Sequence, residues 1–232
     1  MAYILLIETS TELCSVALEK DGELISIKES DNNNSHSLNI ALFIEQVLKE
    51  ADIKPEKLDA VAIGKGPGSY TGLRIGVSSA KGLCYGLGIP LIAVDSLLTL
   101  AYNAKSNYAL QSGATLCPMI DARRMEVYSA IYAENLSLIR EVRADIVDEN
   151  TYFDFYKDNN FYYFGNGAVK CREILSSSKN THYLENVNIS SRGMIKSAEE
   201  KFQKNDFENL AYFEPFYLKD FIAAKSKIKG LV

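Results

Sequence analysis

Histidine is scarce in this chain: His36 and His182 are the two in 232 residues. His36 opens an expected helix without an acidic or histidine neighbour one turn on, and His182 lies in a polar stretch with no second histidine near it. No helical histidine pair for a metal can be drawn. The four cysteines, Cys14, Cys84, Cys117 and Cys171, are far apart and form no CxxC. That pattern argues against a zinc site and fits a reducing, cytoplasmic compartment. Positive charge is not in excess either. With 25 Lys+Arg against 30 Asp+Glu the net charge is −5, so the overall field repels polyanions and gives no support for autonomous nucleic-acid binding. Tyr3 to Ile7 are apolar, but Glu8 ends the run well short of a membrane span or signal peptide. A Walker loop is missing its Gly-Lys-[Ser/Thr] ending, and no G-x-S-x-G elbow offers a nucleophile, with Ser10, Ser15 and Ser69 all lacking a recognisable base.

What the chain does have is an ordered series of elements. Tyr3–Glu8 and Cys14–Glu19 read as strands, and Asp21-Gly22 turns the second into Glu23–Glu29. DNNNS at 31–35 is a polar loop whose Ser35 suits a helix cap, followed by a helix from His36 to about Glu50 and a break at Lys54-Pro55. Asp59–Gly64 is a strand, Tyr70–Leu87 a helix closed by Gly86 and Gly88, and Pro90–Val94 another strand. This order predicts an α/β actin-like, ribonuclease-H-type lobe. An offset of 113 residues lays Ile120-Asp121 on Ile7-Glu8 and the Glu134-Asn135 turn on Asp21-Gly22, so a diverged duplication is expected. The first lobe then covers 1–104 and a smaller second lobe 105–232, hinged near Ala104–Gly113, with a C-terminal segment that can return to the first lobe. The Tyr- and Asn-rich run Tyr152–Asn166 carries no functional signal.

The run GKGPGSYTGLRIG at 64–76 is a glycine-rich turn opening a helix, and such a turn lets backbone approach a phosphate or another helix closely. On a helical wheel Gly72, Gly76, Ser79 and Gly86 share one side. Each interior glycine costs about 1 kcal/mol relative to alanine, which a close approach must offset. The preceding helix has a broad apolar arc, Ile40, Ala41, Phe43, Ile44, Val47, Leu48 and Ala51, with Leu38 and Leu42 outside it beside Glu45 and Lys49. Both features predict an interface: Leu38, Ala41, Leu42 and Glu45 on the first helix, Gly72, Gly76, Ser79 and Leu83 on the second. The alternative is a broad core-facing helix. Glu8 and Asp121 close the first strand of each expected lobe, where two-lobed actin-like ATPases direct carboxylates at a metal–phosphate group. Glu8, Thr9, Ser10, Arg74, Asp121 and Arg123 are therefore candidate nucleotide or anion contacts; equally, the strand-end residues could bond to their own turns, Arg74 face solvent, and Arg123 pair with Glu126 or Glu8. Arg124 adds a second guanidinium beside Arg123. Lys219 to Lys229 contains four lysines and one aspartate, a basic segment suited to an anionic partner or to solvent.

In order along the chain, IETSTELCSVAL (7–18), GPGSYTGLRIG (66–76), IDARRMEVYSAIY (120–132) and EPFYLK (214–219) closely resemble the bacterial TsaB family, once called YeaZ. The resemblance implies an actin-like (ASKHA) fold and a cytoplasmic, non-catalytic member of the machinery that makes N6-threonylcarbamoyladenosine in tRNA. There a metal-bearing paralogue, TsaD, transfers the threonylcarbamoyl group and a small ATPase, TsaE, supports turnover. It further implies binding to the paralogue through the helical face of the first lobe, self-association through that face when alone, and tRNA met through the complex. No intrinsic cofactor is implied, and a nucleotide at the heterodimer joint is a candidate. The paralogue's HxxxH metal pair falls, in this chain, on Ser96 and Leu100, neither an adequate ligand. An ATP-using phosphotransferase of the same fold and a homodimer without a transferase partner stand as alternatives.

Overall fold

The computed structural model describes residues 1–30 and 36–219. Strands β1 (Tyr3–Glu8), β2 (Cys14–Lys20) and β3 (Glu23–Ser30) form an antiparallel meander. β4 (Ala60–Gly64) and β5 (Leu91–Val94) add in parallel, giving the order β3-β2-β1-β4-β5. Parallel addition needs crossovers, and these are the helices α1 (His36–Glu50) and α2 (Tyr70–Leu87). Ser69 caps α2, its side chain accepting from Gly72 N, and Gly88 ends it at φ +68° in the left-handed region. The expected cap Ser35 lies outside the described residues.

Side chains alternate across this sheet. Leu5, Ile7, Val16, Leu18, Val61 and Ile63 meet Ile40, Phe43 and Val47 of α1 and Val77, Ala80 and Cys84 of α2. Ile4, Leu6, Ala17, Ala60, Ala62, Ile92 and Val94 fill the opposite face. A strand covered on both sides must be apolar throughout, which is why β1 reads as an unbroken run.

The second half repeats the pattern. β6 (Thr115–Asp121), β7 (Glu126–Ala133) and β8 (Leu138–Ile146) form a meander, and β9 (Phe161–Phe164) and β10 (Thr181–Tyr183) add in parallel. The order β8-β7-β6-β9-β10 is that of the first sheet, and Glu8 and Asp121 each end the first strand of their half. The fold is thus a duplicated two-lobed α/β structure. Its crossovers have shrunk to single turns, α4 (Phe153–Tyr156) and α5 (Arg172–Leu175). The tyrosine-rich run makes the core there: Tyr152, Tyr156, Phe161 and Tyr163 pack with Cys117 and Met119.

The helix after each sheet serves the other half. α3 (Ser96–Asn107) follows β5 but buries Leu97, Leu100, Ala101 and Ala104 against Leu116, Ile120, Tyr162 and Phe164. The expected boundary at 104/105 therefore falls inside α3, whose apolar face packs with the second sheet. α6 (Ile195–Gln203) follows β10, and Met194 just before it and its Ala198 cover the far face of the first sheet. Beyond α6 the chain runs back along the first lobe: Glu208 N donates to Leu91 O, Phe216 N to Lys65 O, and Lys81 Nζ to the carbonyls of Ala211 and Phe213. All four cysteines are buried and free. Among the described residues no helix is long and apolar enough to cross a membrane.

Candidate functional site

The β1–β2 turn, the start of α2, the β6–β7 turn and the returning C-terminal segment surround a cleft of about 690 Å³. Ser10, Gly68, Ser69 and Gly72 line one side, Asp121, Arg123, Tyr128 and Asn166 the other, with Phe216 to Lys219 along the edge.

Glu8 is not part of that lining. Its side chain is completely buried, with Oε1 accepting from Ser10 N at 2.7 Å and Oε2 from Ser96 Oγ at 3.0 Å. Ser96 Oγ in turn accepts from Gly66 N at 3.2 Å. Gly64 makes the room, since a methyl group there would run into the Glu8 carboxylate. Burial pushes the Glu8 carboxyl above its ordinary value, opposed by the hydrogen bonds from Ser10 and Ser96. The expectation of two carboxylates facing a metal–phosphate group across the cleft is corrected here: Glu8 ties the glycine-rich turn to the start of α3.

Thr9 is likewise turned inward. Its Oγ1 donates to Gly72 O at 2.9 Å, and both Gly72 and Gly76 would clash with Thr9 if they carried a methyl group. Ser10 accepts from Ser69 N at 2.7 Å through its carbonyl, while its buried Oγ has no hydrogen-bond partner among the described residues. The glycines of the first half of α2 thus receive the ETS turn of their own chain, not a second helix. Gly82 and Gly86 alone on α2 have open space around the missing side chain.

On the other wall Asp121 is exposed and ion-paired with Lys170, which also donates to Glu126 O at 2.6 Å. The Asp121 backbone N–H donates to Asn166 Oδ1 at 3.0 Å. Arg123, at φ +72°, donates its backbone N–H to Asp121 Oδ1 at 3.2 Å and lines the cleft. Arg74 is elsewhere: its Nη1 donates to Tyr70 Oη at 2.9 Å and its guanidinium lies 5.3 Å from that ring. The Tyr70 ring packs against that of Tyr217, centroids 5.1 Å apart and planes tilted by 40°. Of the candidate anion contacts, Ser10, Asp121 and Arg123 meet at the cleft, whereas Glu8, Thr9 and Arg74 do not. Asn166 and Lys170 were missed, because nothing in local spacing links residues about 45 positions from Asp121; the EPFYLK segment was singled out, but not its place at the cleft edge. Lys219 pairs with Glu126; the remaining basic tail lies outside the described residues.

A second surface lies on the outer side of α1 and α2. Leu38 is 73% exposed and Leu42 48%, with Ala41 and Glu45 beside them. The broad arc of α1 is otherwise absorbed internally: Ile40, Phe43, Val47 and Leu48 are buried, and Ile44 and Ala51 pack against the same core. Leu83 also leans on that core, and Ser79 Oγ donates to Ile75 O at 2.9 Å. Tyr85, near the end of α2, is 84% exposed and was not anticipated. An aromatic residue flanked by Gly82 and Gly86 was its only sequence signal.

A family model described as TsaD: tRNA N6-adenosine threonylcarbamoyltransferase matches residues 30–230. The chain is 37% identical over 142 residues to the tRNA threonylcarbamoyladenosine biosynthesis protein TsaB of Bacillus subtilis, covering 61% of this chain and 60% of that one. It is 40% identical over 130 residues to the Escherichia coli protein of the same name, covering 56% and 54%. The matched stretch spans little more than half the length of these curated relatives. The solved structure of YeaZ from Pseudomonas aeruginosa superposes with a TM-score of 0.77 at 24% identity, covering 94% of this chain and all of that one, a likeness of fold. Matched over most of its length by that model, the chain belongs to the TsaD-type family and, with its curated relatives, to the TsaB (YeaZ) members of it.

Proposed function

We propose that this chain is a non-catalytic scaffold in tRNA N6-threonylcarbamoyladenosine biosynthesis that binds a metal-bearing, TsaD-like paralogue through the outer face of α1 and α2. A TsaE-like ATPase joins that complex, and tRNA is met through it. The pathway follows from the names of the curated relatives. The observation that carries the scaffold role is the exposure of Leu38, Leu42 and Tyr85 on helices whose opposite faces are fully packed. Covering a large apolar side chain is worth about 1.5–3 kcal/mol, so a partner seated there gains several such contributions. With the paralogue absent, a second copy of this chain is the natural cover.

The phosphotransferase reading needs a second carboxylate on the cleft. Glu8 is committed to Ser10 and Ser96, which supports the scaffold reading instead. The positions of the paralogue's metal histidines support it too: the Ser96 hydroxyl is bonded to Glu8, and Leu100 is core. In a reconstituted modification reaction, omitting this chain or replacing it with Leu42→Glu should abolish product. Full activity with Leu42→Glu, or tight Mg-ATP binding and turnover by the isolated chain, would overturn the proposal.

A further inference from the structure

The far side of the first sheet holds two carboxylates, each with one buried oxygen that no donor among the described residues reaches. Glu19, on β2, is completely buried; its Oε2 accepts from Gly22 N at 2.7 Å, and its Oε1 has no hydrogen-bond partner. Glu199, on α6, accepts from Gln203 Nε2 at 2.7 Å through Oε1, and its Oε2 is buried and equally unpartnered. Both reach the β2–β3 turn: Glu19 Oε2 is bonded to Gly22 N, and Glu199 Cγ lies 3.8 Å from where a Gly22 side chain would begin. Two ionised carboxylates offer acceptors alone, so this arrangement is short of one hydrogen.

We infer that Glu19 carries a proton and donates it to Glu199 Oε2, and that this hydrogen bond fastens α6 to the first sheet. The charged groups facing the pair are Asp21 and, beyond it, the terminal amino group of Met1, 3.7 Å from Asp21 Oδ1. Asp21 adds negative charge and the amino group offsets part of it, and neither donates to Glu19 Oε1. Burial, helped by Glu199 and Asp21, pushes the Glu19 carboxyl up to about 7. The fastening matters beyond the pair. The segment after α6 runs along the first lobe to Phe216–Lys219 at the cleft edge, so the proton anchors the root of that segment.

The sign of the pH effect is fixed by linkage. A carboxyl raised in the folded state holds its proton where the unfolded chain has lost it, so its contribution is full below the ordinary carboxylate value. It declines as pH rises toward 7, by up to about tenfold in the unfolding equilibrium per pH unit. Buried Glu8 acts in the same direction, so the test is the difference between the wild type and Glu19→Gln or Glu199→Gln, followed by denaturant unfolding from pH 5 to 8.5. A glutamine amide supplies the missing hydrogen at every pH. Both variants should lose part of the slope and exceed the wild type in stability at pH 8, with hydrogen exchange in α6 slowed there. Equal slopes in all three proteins would overturn the inference. So would a side-chain carboxyl carbon of Glu19 that titrates in the ordinary range by NMR, a readout that stands even if the variants fold poorly. Stabilisation of the wild type at pH 8 by millimolar magnesium or calcium, lost in Glu19→Gln, would replace the proton with a cation and also overturn it.

Discussion

Thr9 Oγ1 donates to the carbonyl of Gly72 at 2.9 Å, and the Thr9 side chain lies where a methyl group on Gly76 would have to go. The glycine stripe of α2 and the turn after β1 are thus one joint inside the first lobe. That joint fixes the start of α2, and through it the orientation of the helix face offered to a partner.

Gly72→Ala and Gly76→Ala are expected to destabilise the fold by roughly 1–3 kcal/mol, the overpacking outweighing the gain in helix propensity. Gly82→Ala, with open space around it, should be neutral or stabilise by up to about 1 kcal/mol. Denaturant unfolding of the three variants checks the contrast. Equal effects at Gly72 and Gly82 would show that no close approach exists.

Glu8→Ala orphans the Ser10 N–H and frees the Ser96 hydroxyl of its acceptor, at about 1–3 kcal/mol for each buried group left unpaired. Because burial raises the Glu8 carboxyl, its contribution to stability is full below the ordinary carboxylate value and is lost as pH rises through the folded one. Glu8→Gln should therefore flatten part of the decline of stability with pH, measured by thermal unfolding at several pH values.

Asp145 sits almost buried in the second lobe, accepting from Arg140 Nη2 at 2.6 Å, Ser129 Oγ at 2.5 Å and Tyr152 Oη at 3.0 Å. Asp145→Ala strands the guanidinium and should cost about 3–5 kcal/mol, whereas Tyr152→Phe removes one hydrogen bond and should cost about 1 kcal/mol. Chemical denaturation reads both. A small effect of Asp145→Ala would mean that water reaches Arg140 freely.

Much of the first lobe was legible in the sequence because its elements announce themselves locally. The run Tyr3–Glu8, the turn Asp21-Gly22 and the capped helix from Ser69 to Gly88 each carry period, turn and stop signals. The duplicated topology was legible through Glu8 and Asp121, which end equivalent strands. What sequence misassigned was direction across the chain. The glycines of α2 signalled a close approach correctly, but the approaching object is Thr9, 63 residues upstream of Gly72, and helical periodicity says nothing about that. Glu8 could be read equally as a cleft carboxylate or as bonded to its own turn, and what decides between them is Ser96, 88 residues away. The exchange of α3 and α6 between the halves was hidden for the same reason.

The most direct test of the scaffold account is light scattering coupled to size-exclusion chromatography, on this chain alone and mixed with the metal-bearing paralogue from the same organism. The account predicts a one-to-one complex that Leu42→Glu abolishes and Gly82→Ala preserves, with the Leu42→Glu variant folded by circular dichroism. A complex that survives Leu42→Glu, or no complex at tens of micromolar with or without nucleotide, would contradict it.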